Sequence, residues 1–508
     1  MKRIVSLYES CKTSIRVSYI GFILLAIGFI IQNENVNLFY TFKSSIILFI
    51  GELSLNVGEL IVMNLPLIFM LNIVCKKANS SSPVVLALVG YFTYLVTTML
   101  FASQNLGTYA YSSGYGINSV FNALSSSRLP LETGLLGSLI VAYLTRFSFI
   151  LSRNRSSTSI LGFFNKDTAG FIYNVVLCFL AGVAVSYGYP FIYRYIQKAI
   201  TYISGDLMDP LRIGLYGVLD RILSILGLSN IIRYPFWYTT AGGSFVNGVT
   251  GQTVLGDVNI WSIIKNSNTS FMGAGRFITP YYIINMFLIP AYYIGTLICM
   301  SDKYERNHFT VVYIFAIGLS IIAGNPLPAE LLMLFTSPFL LICYLFVVGL
   351  VFALLVKLSV FLGFSCNIVN TNVAMPGSFP DFIINIRNVK LSCNLGYICL
   401  IGLAALVIFI GIVIVYYKAF AYTSIDTVKS KQLITEIVAA VGSKDNIDYI
   451  GSGLFRLNIY LKDLEFVSVE MLQNIGAKRV TETRTGISIE FGTASHNISK
   501  KIKEFISV

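Results

Sequence analysis

The feature that most constrains this chain is the recurrence of apolar runs long enough to cross a bilayer. A spanning helix needs about 20 predominantly apolar residues, because each adds only about 1.5 Å of rise. Such runs recur at 18–32, 84–101, 133–151, 168–189, 281–300, 309–323, 332–358 and 396–417. Two more, 45–57 and 59–74, are interrupted by Gly51, Gly58, Asn64 and Pro66, and read as one broken pair or two short spans. With 55% hydrophobic residues, 12% charged residues and a mean hydropathy of +0.74, a soluble fold of 508 residues is excluded. The expected fold is a polytopic α-helical membrane protein with about ten transmembrane helices plus re-entrant segments. The basic start, MKRIVSLYESCK, precedes a first apolar run with no obvious small-residue cleavage site. It reads as a retained span with a cytoplasmic N-terminus, and two cytoplasmic termini require an even span count.

Charge is unevenly spread. Residues 421–508 hold 11 Lys/Arg and 10 Asp/Glu, whereas the preceding 420 hold only 25 and 14. The net charge of +12 therefore belongs mainly to loops between spans, as topology rather than a nucleic-acid footprint. The eight cysteines (Cys11, Cys75, Cys178, Cys299, Cys343, Cys366, Cys393 and Cys399) form no CxxC pair and no ligand cluster. With His308 and His496 nearly 190 residues apart, there is no material for a metal centre or a histidine triad. No metal and no cofactor are expected.

Two places break the helical pattern inside apolar territory: SFMGAGRFITPYY at 270–282 and IIAGNPLPAELLMLFTSP at 321–338. Irregular backbone at membrane depth is tolerated only where protein or a wet cavity satisfies it, and half-helices at the midplane are a common way to build a substrate site. Ordinary loops at the membrane surface are the alternative. Glu330 and Arg276 lie in these segments, and an ionised carboxylate there needs a cavity, a partner or water. Carboxylates also suit a polyol ligand, since each oxygen accepts hydroxyl hydrogen bonds. Asp257, in LGDVNIW, is a weaker candidate for the same pocket. The stretch 208–240 is amphipathic and too charged for a simple lipid-facing helix.

From Tyr416 the character changes. A polar, basic linker at 421–432 separates a membrane domain, 1–420, from a small α/β sandwich domain at 433–508. In that tail, ITEIVAAVGS, VSVEMLQNIGAKRV and NISKKIKEFI read as helices, and LFRLNIYLKD and GISIEFG as strands.

The tail NIDYIGSGLFRLNIYLKD…LQNIGAKRV…GISIEFG resembles the IIB domain of the bacterial phosphotransferase system, glucose and maltose superfamily. Asn446, Ile447, Arg456, Leu457 and the Gly476-Ala477 pair match that family's pattern. The membrane part is similar to the IIC domain of the same superfamily, through NLPLIF (64–69), LETGLLGSLIVAYL (131–144), AGRFITPYY (274–282) and MFLIPAYYIG (286–295). This resemblance implies a sugar permease of a bacterial cytoplasmic membrane, dimeric within the bilayer, with IIA or IIB domains as partners and no nucleic acid.

Three departures accompany it. The family's phosphorylated cysteine falls on Gly453, its following threonine on Phe455 and its second arginine on Asn458. The TG-I-T-E-P-I-E segment falls on Ala323–Glu330, keeping the second glutamate as Glu330 and replacing the first by Leu327. The GLHH segment falls on GLSN, 227–230, and loses both histidines. The resemblance places ligand contacts at Glu330, Asn230 and Asn325, with Arg276 and Asp257 as further candidates. Arg456 and Ser452 become candidate contacts to phosphate or a partner. A thiolate is the nucleophile and phosphoryl carrier the family's reaction needs, and Gly453 supplies none. Three readings follow: a permease relying on another protein's IIB domain, an uncoupled sugar facilitator, or a non-transporting receptor or regulator that keeps the binding fold. In each, catalysis by this chain's own tail is not expected.

Overall fold

The computed structural model describes residues 2–32, 44–75, 82–153 apart from 104, 107–109 and 112–127, 166–267 apart from 249, 273–300, 303–364, 374–386 apart from 375, 394–422, and 427–507 apart from 454–455, 476, 478 and 492–494. Phe455, Gly476, Cys366, Cys393 and part of the 421–432 linker, all singled out above, lie outside the described residues.

The protein is a polytopic helical membrane protein. Helices α1 (Lys2–Gln32), α2 (Ser45–Met63), α3 (Leu65–Cys75), α4 (Ser82–Phe101), α5 (Gly134–Arg153) and α6 (Lys166–Ser204) lead to α7 (Pro210–Ile225) and α8 (Ser229–Tyr238). A hairpin of β1 (Ser244–Val246) and β2 (Thr253–Leu255) precedes α9 (Asp257–Ser267). Next comes α10 (Thr279–Ile283), continuing through a π-turn at Ile284–Leu288 into α11 (Ile289–Cys299). After it follow α12 (Lys303–Ala323), α13 (Leu327–Thr336), α14 (Pro338–Lys357), α15 (Phe379–Ile386) and α16 (Gly396–Tyr422). The tail holds α17 (Thr427–Ala440), β3 (Ile447–Ser452), β4 (Arg456–Leu461), α18 (Val469–Asn474), β5 (Val480–Thr483), β6 (Gly486–Glu490) and α19 (Ser495–Ser507).

Among the described residues, eight helical stretches are long and apolar enough to cross a membrane, against about ten expected. Three further apolar helices, Leu65–Cys75, Phe309–Ala323 and Leu327–Thr336, are shorter. The broken pair divides at Asn64, whose backbone N–H and side-chain amide both donate to the Leu60 carbonyl, the latter at 2.7 Å. Gly58 instead stays inside α2, where a Cβ would approach the Leu25 backbone nitrogen to 2.7 Å. The missing side chain lets α1 and α2 pack closely, the usual use of small residues between membrane helices. The run 332–358 divides at Ser337, because Pro338 has no N–H to continue α13 but fits the first turn of α14.

The described residues form two compact units, Met1–Met286 with Leu319–Ile401, and Phe287–Gly318 with Gly402–Val508. In the first, α1 packs on α2 and α14 on α7, while α4, α5 and α6 surround a core that includes Met70, Tyr94, Val141 and Cys178. In the second, the tail's four strands form an antiparallel sheet of order β3-β4-β6-β5. Alternate residues Leu457, Ile459 and Leu461 of β4 join Ile450, Ile487 and Ile489 in one core with Ile437, Val441, Leu472 and Ile502 from the helices. This is the period-two pattern of a sheet buried on one face. Strands β3 and β5 are additions to the elements legible in the sequence, and the 467–480 stretch holds only the six-residue α18 before turning into β5.

Candidate functional site

Helices α7 and α8 form a tight turn at Leu226–Leu228, with Leu228 N–H donating to the Leu223 carbonyl at 2.7 Å. That turn folds Arg233 back onto Asp220, 13 residues earlier. Arg233 donates from Nε to Asp220 Oδ1 at 2.7 Å, and Arg221 from Nη2 and Nε to Asp220 Oδ2 at 2.6 and 2.9 Å. The Tyr281 hydroxyl donates to the same Oδ2 at 2.6 Å. Arg221 Nη1 reaches Glu330 Oε1 at 3.4 Å, where the Tyr344 hydroxyl also donates at 2.7 Å. Both guanidinium groups lie over the Tyr281 ring, at 4.9 and 5.3 Å from its centre.

Two cations and two anions, none more than 5% exposed, thus close a neutral network. Burying charge is tolerated where pairing and hydrogen bonds replace water. Burial alone raises the Asp220 carboxyl. Arg221, Arg233 and the Tyr281 hydroxyl outweigh it and hold the group at about 2. Among the described residues, however, the buried Glu330 Oε2 finds no hydrogen-bond partner, nor does the Asn285 side-chain oxygen. Unsatisfied buried acceptors are rare in folded proteins and mark places able to receive a donor.

The network opens on a crevice of about 80 Å³. Its polar wall includes Glu132, Arg221, Ser229, Arg233, Tyr281 and Asn325, and its apolar wall includes Val62, Phe69 and Leu331. Small clefts with a few convergent polar groups among apolar side chains are the usual form of a ligand site.

The residues nominated from sequence fall in different places. Asn325 lies on the crevice wall, and its side-chain oxygen accepts from Leu327 N–H at 2.9 Å at the head of α13. Glu330 stands behind the wall, fully buried in the network. Asn230 is buried in the first turn of α8, next to the wall residue Ser229. Asp257 and Arg276 are not among the wall residues. Asp257 accepts from the backbone N–H groups of Gly275 at 2.9 Å and Phe277 at 3.4 Å. Arg276 donates to the carbonyls of Gly273 at 2.6 Å and Leu207 at 2.9 Å. Both shape the turn at 273–278, where Gly275 has a φ of +93° and a Cβ would meet the Leu362 carbonyl carbon at 2.6 Å.

In the tail, Ser452 is buried at the end of β3, in register with Leu457. Arg456 is exposed opposite Glu490 of β6. Gly453 closes the turn between β3 and β4, its N–H donating to the Arg456 carbonyl at 2.9 Å.

Sequence reasoning missed Asp220, Arg221, Arg233, Tyr281, Tyr344 and Glu132. The available signal was the charge density of 208–240, in particular the adjacent Asp220-Arg221 within a mostly apolar stretch of helix. The partner Arg233 is identified only once the turn is folded.

No family model matches the chain. It is 26% identical over 518 aligned positions to the PTS system glucoside-specific EIICBA component of Staphylococcus carnosus (strain TM300), covering 95% of this chain and 70% of that protein. The similarity thus runs through both the helical region and the tail.

Proposed function

We infer that the protein is a sugar permease of the phosphotransferase type, which binds and translocates a sugar and does not phosphorylate it with its own tail. The observation that carries this reading is the crevice, where charged groups from α7 and α8 meet Asn325 at the break before α13. Guanidinium, carboxylate and amide groups together provide the donors and acceptors that a polyol requires. The similarity to a glucoside-specific component supports a glucoside as the first class of ligand to try. At about 80 Å³ the crevice is well below the roughly 300–1,000 Å³ usual for a ligand pocket, so admission of a sugar ring requires its walls to part.

The division into a membrane domain of 1–420, a linker of 421–432 and a cytoplasmic α/β sandwich of 433–508 belongs to this reading. So do both termini on the cytoplasmic side of a bacterial inner membrane and a homodimer within the bilayer. Glu330, Asn230 and Asn325 are assigned to the ligand side, with Glu330 Oε2 ready to accept a hydroxyl. Asp257 and Arg276 are assigned to support of the adjoining turn. In the tail, Gly453 has no side chain with which to form a phosphoryl ester or thioester. Arg456, exposed, is the group available to a phosphorylated partner such as a IIA or IIB domain.

The test is uptake by sealed vesicles containing only the purified protein, offered radiolabelled glucosides and other sugars, with and without phosphoenolpyruvate and the general phosphotransferase proteins. Saturable uptake of unmodified sugar without phosphoenolpyruvate is expected for a facilitator. Uptake only when a IIB domain is added assigns the phosphoryl step to a protein in trans. Phosphorylated product formed without any added IIB domain overturns the claim about Gly453. Neither uptake nor binding by the folded protein overturns the permease reading in favour of a receptor.

A further inference from the structure

Among the described residues, Glu132 is the one carboxyl on the crevice wall. The backbone explains why it is there. Leu135 N–H donates to the Leu226 carbonyl at 2.8 Å, which lays the start of α5 on the turn between α7 and α8. Gly134, with a φ of +49°, permits this approach, since a Cβ would collide with the Leu226 carbonyl oxygen. The same contact that seats Glu132 therefore brings it to the crevice shared by Arg221 and Arg233. Glu330, by contrast, is absent from the wall, and its Oε1 is held by Arg221 and Tyr344.

We propose that Glu132 is the carboxylate that receives the hydroxyl groups of a sugar in this crevice, and that it releases a proton to water to do so. The proposal rests on the sugar reading above and adds to it a carboxyl on the crevice wall itself, beside the buried Glu330. The charged and titratable groups around Glu132 are of two kinds. Arg221 and Arg233 line the same crevice, each already paired with Asp220. On the protein side, Tyr91 of α4 and Tyr189 of α6 lie within electrostatic reach, with Tyr94 and Tyr111 close to Tyr189. The Tyr189 hydroxyl bonds the Glu132 backbone carbonyl at 3.1 Å, not the carboxyl. Phenols ordinarily ionise near pH 10, so these four are neutral donors at physiological pH. Burial lifts the Glu132 carboxyl to about 7, while the Gly134 N–H pulls the other way. At about 7 the group is partly protonated at neutral pH. A hydroxyl donor bonds the ionised form more strongly, so binding shifts the group towards the carboxylate.

The experiment is titration calorimetry of the full-length protein in detergent with methyl β-D-glucopyranoside, run below, at and above neutral pH in buffers of different ionisation enthalpy. For the native protein, affinity is expected to fall by up to about tenfold per pH unit on the acid side of the Glu132 transition, with proton release on binding. Glu132→Gln is expected to lose about tenfold or more in affinity at high pH together with the pH dependence, and Glu330→Gln to keep the pH dependence. A Glu132→Gln protein that retains the native pH profile overturns the proposal.

Infrared difference spectroscopy of the unliganded protein separates the two readings. A protonated-carboxyl band that titrates near neutral pH and disappears in Glu132→Gln supports the proton site whether or not a glucoside binds. Its absence overturns that site. Failure of the native protein to bind any sugar removes the permease reading and, with it, the ligand half of the proposal.

Discussion

In the helical unit, Asp220, Arg221, Arg233 and Glu330 are buried and bonded to one another, whereas in the C-terminal sheet Arg456 stands exposed opposite Glu490. The same residue types serve different ends. The first set is buried beside a crevice, and its charges are paired with one another because burial strips them of most of their water. The second sits on a sheet whose stability comes from the apolar face below it, Leu457, Ile459, Ile487 and Ile489. Gly453, just after β3, has no side chain to contribute chemistry.

The largest effect is expected from Asp220→Ala. It leaves two guanidinium groups buried with only Glu330 between them, at a cost of about 3–5 kcal/mol. Purified variant protein should lose its single peak in size-exclusion chromatography, or show a steep drop in Tm in detergent. A variant as stable as the native protein would mean that the network is solvated and that the contrast with the tail is false.

Next comes Ile459→Ala in the tail, where removing a buried side chain from a small core costs about 2–4 kcal/mol. Limited proteolysis should then cut within 433–508 while the helical unit stays resistant to cleavage. Cleavage of both together would show that the tail and the crevice are energetically one body.

The smallest expected effect is a matter of sign. Asp220 has a folded value of about 2 against 3.8, so the stability it contributes is present above 3.8 and is lost as pH falls towards 2. Asp257 behaves oppositely. Burial raises it to about 6, although Arg276 and the backbone N–H groups of Gly275 and Phe277 oppose the shift. The folded state therefore binds its proton more tightly than the unfolded chain, and stability falls as pH rises from 3.8 towards 6. A plot of Tm against pH should lose that descending component in Asp257→Asn. If the slope is unchanged, Asp257 is not the group responsible.

Much of the architecture was legible because hydrophobicity is a local property of sequence. Span-length apolar runs, the break before Glu330 and the change of character after Tyr416 need no knowledge of neighbours in space. In the tail, the two strands not anticipated, β3 and β5, bury no regular alternate set of side chains, and their identity depends on pairing with β4 and β6. The site was legible only in part for a related reason. Glu330 and Asn325 stood out because a polar residue beside prolines in an apolar run is locally anomalous. Asp257 and Arg276 stood out equally, yet their polar atoms are committed to backbone groups of the 273–278 turn and Leu207.

By itself, the sequence determined that this is a membrane protein of many helices with a small mixed tail, and that no thiol is present at Gly453. Those conclusions follow from transfer energies and side-chain chemistry, which act residue by residue. Only the tertiary structure decided that Arg233 meets Asp220, that Arg221 bridges Asp220 to Glu330, and that Glu132 shares a crevice with both arginines. Pairings of buried charge depend on distances of a few ångströms between residues 13 to 109 positions apart, and those distances are set by how helices and turns pack.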